Sequence, residues 1–355
     1  MKNNRKKFST SVAVVATASL LALSACSSDG GGAEADGGGE GFGELTLQLS
    51  FIKNAQNAGE YVADDKGYYA DEGFESVNMI SGPTAVEASV ATKKADIGYS
   101  TTLGTASVIK EEDMPLTIIG AVYKANAFTV MSMEGENAIR TPDDLKGKRI
   151  GVTAGTAEII MEAFLAANGM EADDITFVPA EGSPALLTEG EVDGYFALAT
   201  NELLTLELAG EDVVSLPLYE NGLPLTGTVF AVDTEELEQN REKYKAFLRA
   251  EIAGWTDEVN DPALGVDLAL NKYGADLGLD EEKEHEQGTT QIDYIYPEDS
   301  EDEGLFRLSD EEIAANIEAL TNADISLDGD VLYDMSLLDE IYEENPELLK
   351  VRDDA

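Results

Sequence analysis

Polar and aromatic residues gather at the carboxyl ends of the apolar runs in this 355-residue chain. Phe51, Asn54, Gln56 and Asn57 follow the run 45–49, and Gly82 follows 77–80. Ser100 and Thr101 close a short run at Ile97 and Tyr99, and Lys124 and Asn126 follow 116–122. In the second half Thr153, Gly155 and Thr156 trail the run 149–152. Phe196 ends 191–196, Thr200, Asn201 and Glu202 come just after it, and Thr226 lies near the start of 224–232. The set is aromatic, amide and hydroxyl, with Glu202 as its one acid and Lys124, beside nearby Lys53, as its basic member. A stacking face with a few convergent polar groups suits the enclosure of a small solute. An oxyanion such as a sulfonate, nitrate or bicarbonate calls for Arg, Lys or clustered N–H donors. So sparse a cationic contribution favours a neutral or cationic heteroaromatic instead. Catalysis and metal binding are poorly supplied: the chain has one Cys, Cys26, and one His, His285, in a charged stretch expected to face solvent. No cofactor or metal is expected.

For these residues to meet, the apolar runs must be strands that share an edge. Leu45, Leu47 and Leu49 alternate with polar residues, a strand pattern, and a short helix follows from Gly59. The theme of strand, polar loop and helix repeats through residue 122, which predicts a mostly parallel sheet covered by helices. In such sheets ligands sit beyond the carboxyl ends of the strands. The run 128–133 should cross toward a second lobe. Thr141, Pro142, Asp143 and Asp144 then read as N-cap, first position and acidic first turn of a helix. Strands are expected at 149–152, 175–178, 191–196 and 213–216, with helices at 159–168, 185–188 and 203–208. The run 224–232 reads as the strand returning to the first lobe. The last third reads as helical, at 240–260 with Trp255 as packing, at 262–273, at 309–320 behind a Ser309/Glu312 capping box, and at 335–342.

Hydrophobic residues are 43% of the chain and charged residues 26%, enough apolar material for two cored lobes. The formal net charge of -48 repels nucleic acid and anionic lipid heads, so nucleic-acid binding is excluded as a function class. The first 25 residues read as a leader. Lys2, Arg5, Lys6 and Lys7 precede a short apolar stretch, 12–23, and Leu23-Ser24-Ala25-Cys26 resembles a bacterial lipobox. Cys26 is therefore the expected lipidation site, carrying acyl chains that hold the protein to the outer face of a cell membrane. Residues 26–43 are Gly-rich and acidic, the composition of a flexible tether.

Several phrases resemble one family. They are Ala58-Gly59-Glu60-Tyr61-Val62-Ala63, Lys66-Gly67-Tyr68-Tyr69, Glu72-Gly73-Phe74 and Lys93-Lys94-Ala95-Asp96-Ile97-Gly98. Asp144-Leu145-Lys146-Gly147-Lys148-Arg149-Ile150-Gly151-Val152 and Glu191-Val192-Asp193-Gly194-Tyr195-Phe196 add to them. Over residues 45–270 the chain is similar to the NMT1/THI5-like (SsuA-like) solute-binding proteins of ABC importers, with Lys93 where Gly is usual and Phe51 where Trp is common. The resemblance implies an α/β periplasmic-binding-protein type II fold, two lobes joined by a hinge around a ligand cleft. Residues 44–128 would begin lobe 1, 129–228 would form lobe 2, and 229–355 would return to lobe 1 with C-terminal helices. It further implies a monomer outside the cytoplasm that captures a small-molecule solute by closure and docks on a permease with its ATPase. Thiamine-precursor aminopyrimidines and flavins are ligand classes bound by relatives. A sulfonate- or nitrate-type anion and a sensory role without a permease stay open. Eukaryotic THI5-type synthases share the fold, and here the sole His and Cys argue against that enzyme reading.

Overall fold

The computed structural model describes residues 41–82, 85–180, 183–297, 300 and 303–352. The expected leader 1–25, Cys26 and the tether up to residue 40 lie outside the described residues. Leu45 and Leu47, spaced by two and both fully buried, set β1 (Gly43–Gln48) with one face on the core. β2 (Phe74–Ile80), β3 (Ile97–Thr101) and β4 (Leu116–Ala121) complete the local strands of the first lobe. β5 (Phe128–Met133), β6 (Arg149–Thr153), β7 (Thr176–Ala180), β8 (Gly194–Leu198) and β9 (Val213–Pro217) follow, and the chain then returns as β10 (Thr228–Asp233). Two five-stranded sheets result, ordered β2-β1-β3-β10-β4 and β7-β6-β8-β5-β9. No helix among the described residues is long and apolar enough to cross a membrane.

The sheets are mostly parallel as expected, with one exception in each. β1 pairs in parallel with β2 and β3, and β6 in parallel with β7 and β8. β10, however, lies antiparallel between β3 and β4, and β5 antiparallel between β8 and β9. The reason is topological. A strand arriving from the other lobe enters at the edge where the local strands finish, and so runs against them. Each sheet therefore holds one strand fed by its partner lobe, and both crossings pass beside the strand ends that carry the polar loops.

Asn126 fastens the two crossings together. Its Nδ2 donates to the carbonyls of Leu223 at 3.0 Å and Leu225 at 2.8 Å, while its Oδ1 accepts from the Phe128 N–H at 3.2 Å. The Gly227 N–H donates to the Tyr123 carbonyl, and a Cβ built on Gly227 would stand 2.8 Å from the Tyr123 Cβ, so only glycine permits this approach. The return strand starts later than the run 224–232 suggests, because Leu225 and Thr226 are spent on crossing contacts.

The helical last third clothes the first lobe. Helix Arg241–Asn260 lies along helix Ala58–Asp65, and the fully buried Trp255 packs so tightly on Gly59 that a Cβ there would meet its Cδ2 at 2.2 Å. Three carboxyls are sealed in this seam. Glu60 accepts from Trp255 Nε1 at 3.2 Å, Glu251 accepts from the Tyr69 and Tyr99 hydroxyls, and Glu258 accepts from the Gly265 N–H at 2.8 Å. The Ser309/Glu312 box closes reciprocally at the start of helix Asp310–Asn322, and helix Ser336–Glu344 packs its buried Leu337, Leu338, Ile341 and Tyr342 against the lobe.

Two expected stretches differ. The charged segment 281–286 faces solvent only in part: Glu281, Glu282 and Glu286 are exposed, while the helix it starts, Glu281–Thr290, seats on the turn Ala55–Asn57. There buried Glu284 accepts from the Ala55 N–H at 2.7 Å, and His285 is half-buried rather than exposed. The span 262–273 is helix Ala263–Leu268 followed by a wider π turn, Ala269–Tyr273.

Candidate ligand-binding site

A cavity of about 350 Å³ opens between the lobes at the strand ends, a volume within the range of small-molecule sites. The first lobe contributes Ser50, Phe51, Gln56, Glu87, Tyr99, Ser100 and Thr101, the crossings contribute Tyr123, Phe128 and Thr228, and the second lobe contributes Thr153, Ile160, Phe196, Thr200, Asn201 and Glu202. Among the described residues, no Lys, Arg or His lines it.

Local structure aims each group. Phe51 sits in the turn after β1, which is closed by the Gly82 N–H donating to the Phe51 carbonyl at 2.8 Å, and its ring remains 37% exposed. Phe196 on β8 stacks on Phe128 of the incoming β5 with centroids 5.3 Å apart and planes at 27°. Thr200, Asn201 and Glu202 ride on a π turn, Ala199–Leu203, that joins β8 to helix Leu204–Leu208. Such turns widen the helix by one residue and recur at functional sites. Glu202 is held in place from two sides: Oε2 accepts from the Leu198 N–H at 2.9 Å and Oε1 from Asn201 Nδ2 at 3.1 Å. Burial raises its carboxyl above the ordinary glutamate value, against the lowering by those hydrogen bonds and by the Lys283 charge.

Among the described residues, nine sequence-derived candidates thus share the lining: Phe51, Gln56, Ser100, Thr101, Thr153, Phe196, Thr200, Asn201 and Glu202. The other first-lobe candidates work in the scaffold and do not line the cavity. Asn54 caps the turn Ala55–Asn57 by accepting from the Gln56 N–H at 3.3 Å, and Asn57 is buried beside it. Gly82 supports the Phe51 turn from behind. Lys124 is buried and paired with Glu303 and, at 3.6 Å, with Glu312. Asn126 holds the crossings, and the Thr226 hydroxyl meets Thr102 at 2.5 Å and Asn316 at 3.2 Å. Gly155, with φ +97°, makes the exposed turn before helix Thr156–Ala167, of which Thr156 is the first residue.

Sequence reasoning missed Glu87, Tyr99, Tyr123 and Phe128. The tyrosines and Phe128 sit within or beside strands that read as core, and their hydroxyls do face inward: Tyr99 donates to Glu251 at 3.1 Å and Tyr123 to Gln291 at 2.9 Å. Only the fold shows that these residues also line the cavity. Glu87 lies in the first turn of helix Val86–Ala91, where an acid reads as ordinary favourable charge at a helix start.

The NMT1/THI5 like family model matches residues 54–264. The chain is 30% identical over 235 residues to a riboflavin-binding protein, RibY, of Chloroflexus aurantiacus, covering 64% of this chain and 66% of that one. It is 26% identical over 216 residues to a 4-amino-5-hydroxymethyl-2-methylpyrimidine phosphate synthase of Schizosaccharomyces pombe, covering 57% and 62%. A formylaminopyrimidine-binding protein of Halalkalibacterium halodurans is 26% identical over 258 residues, covering 70% and 76%. The first two relatives are thus matched over a little less than two thirds of their own lengths. Among solved structures, the alkanesulfonate-binding protein SsuA of Xanthomonas axonopodis, bound to MOPS, superposes with a TM-score of 0.59 at 16% identity, covering 82% of this chain and 98% of that one. That likeness is one of fold, the periplasmic-binding-protein type. With the model spanning more than half of its length, the chain belongs to the NMT1/THI5 like family.

Proposed function

We propose that this chain is the solute-binding component of an ABC importer, working as a monomer outside the cytoplasm and tethered to the membrane by lipid at Cys26. Its cleft captures a neutral or cationic nitrogen heteroaromatic, an aminopyrimidine of the thiamine-precursor kind or a flavin, by closure of the two lobes. The loaded protein then docks on a permease with its ATPase. One observation carries the ligand class: among the described residues the lining pairs aromatic faces with amides, hydroxyls and two carboxylates, Glu87 and Glu202, and offers no cationic side chain. An oxyanion there would face those carboxylates with no Lys or Arg to offset them. The names of the bacterial relatives, for riboflavin and formylaminopyrimidine, agree with this class. The affinity derives from positioned contacts rather than chemistry. His285 lies in helix Glu281–Thr290 and does not reach the lining, which disfavours the synthase activity named for the yeast relative. Isothermal titration with 4-amino-5-hydroxymethyl-2-methylpyrimidine, riboflavin and ethanesulfonate tests the proposal. Heat is expected from one of the first two; heat from the sulfonate alone overturns it.

A further inference from the structure

Glu87 is the acid on the first-lobe wall of the cleft, opposite the lobe that carries Glu202. Its orientation is fixed by a chain of hydroxyls. Thr105 Oγ1, fully buried, donates to Ser100 Oγ at 2.9 Å, and Ser100 Oγ donates to Glu87 Oε1 at 2.5 Å. The Ser100 proton has two acceptors in reach, Glu87 Oε1 at 2.5 Å and the Thr101 carbonyl at 3.2 Å, and the shorter, charged one takes it while Thr105 occupies a Ser100 lone pair. The ladder is local: Ser100 ends β3, Thr105 lies one turn into helix Thr102–Glu112, and Glu87 lies in the neighbouring helix Val86–Ala91. Only one carboxylate oxygen is used by this ladder, and half-buried Glu87 borders the cavity.

Resting on the reading of the cleft as a solute site, we propose that Glu87 is a second specificity-determining carboxylate, which accepts from a positively charged or N–H-donating substituent on the ligand. Glu202 and Glu87 then read the ligand from opposite lobes, so a ligand with donors at two edges is gripped on both sides. The cleft favours a cationic substituent over a neutral one of the same size. Charge-assisted hydrogen bonds exceed neutral ones enough for a preference of about tenfold.

The test is calorimetric titration of the full chain with two probes that differ only in that substituent: 4-amino-5-aminomethyl-2-methylpyrimidine, protonated on its side-chain amine at neutral pH, and its 5-hydroxymethyl counterpart. Wild-type protein is expected to bind the amine about tenfold more tightly. E87Q keeps the acceptor for Ser100 and should lower that ratio to near one, and Ser100→Ala, which frees the carboxylate to turn, should lower it partway. Thermal melting of each variant separates loss of fold from loss of selectivity, and either variant alone suffices to read the ratio. Equal binding of both probes by the wild type, or an undiminished amine preference in E87Q, overturns the role of Glu87 and leaves the proposed function standing. Binding of neither probe overturns the aminopyrimidine reading and this inference with it.

Discussion

The two lobes are built on the same plan and use their polar residues differently. Each has parallel strands, one antiparallel strand fed from the other lobe, and polar turns at the shared edge. In the first lobe several residues of those turns are taken up by the scaffold: Asn54, Lys124, Asn126 and Thr226 all bind other segments of protein. In the second lobe Thr200, Asn201 and Glu202 stay at the cavity because a π turn lifts them out of the helix that follows. Burial raises acids in both lobes, Glu202 of the second among them, while the part-exposed Asp193 goes the other way. Glu60, Glu251 and Glu258 are sealed inside the first lobe, where burial raises all three carboxyls. In the second lobe Asp193 is held below its ordinary value by the hydrogen bond and charge of Arg149. The first lobe is the heavier frame, clothed by helices from the last third of the chain, and the second presents a thinner wall to the ligand.

The sharpest way to break this contrast is at the frame. Trp255→Ala empties a fully buried site and removes the donor to Glu60, and should destabilise the protein by about 3–5 kcal/mol in denaturant unfolding. A loss below about 1 kcal/mol would mean the seam between helices Ala58–Asp65 and Arg241–Asn260 is not the frame's keystone.

The sealed acids give the next effect. Burial pushes Glu60 from 4.5 up to about 7, against hydrogen bonds that lower it. A carboxyl raised in the folded state holds its proton better folded than unfolded. Its contribution is therefore full below the unfolded value and is lost as pH rises through the folded one. Melting temperature should fall between pH 4.5 and about 7, and E60Q should flatten that limb. Asp193 has the opposite sign, its contribution being present at neutral pH and lost only as pH falls through its depressed value. A melting profile that rises from pH 5 to 7, unchanged in E60Q, would contradict the sealed-acid description.

Lys124 separates frame from cleft directly. Its side chain is 4% exposed while its partners Glu303 and Glu312 are 41% and 31% exposed. Lys124→Met should cost about 1–2 kcal/mol of stability, less than a fully buried pair because the carboxylates can be rehydrated. Ligand affinity should change by less than about threefold, under 1 kcal/mol. The smallest structural effect, and the complementary one, is Phe51→Ala. The ring is 37% exposed, so stability should move by no more than about 0.5 kcal/mol. Affinity for a heteroaromatic ligand should fall about tenfold with loss of the aromatic face.

These contrasts also show how much was legible in the sequence. The strands, taken along the chain, were legible from apolar runs and turn residues, since alternation and helix spacing are local properties. Phe51, Ser100, Thr101 and Glu202 were findable because strand ends in such sheets face the ligand edge. Lys124 and Asn126 occupy the same kind of position but bond across the crossing segments, to partners such as Leu225 and Glu303 that are distant in sequence. Position after a strand predicts nearness to the cleft; whether a side chain is free depends on long-range partners that no local pattern encodes. Glu284 was missed for the same reason: its acceptor role at the Ala55 N–H exists only once helix Glu281–Thr290 docks. The antiparallel insertions of β5 and β10 depend on where the chain crosses, which strand composition does not record.

The central claim is that one solute is held by both lobes at once. Hydrogen–deuterium exchange measures it most directly, comparing the free protein with protein saturated by whichever titrated compound binds. The amides of Ser100–Gly104 and of Leu198–Leu203 should slow together, and by similar factors, because the same molecule sits between them. Protection confined to one of these segments, or appearing only at surfaces away from the cleft, would contradict the account.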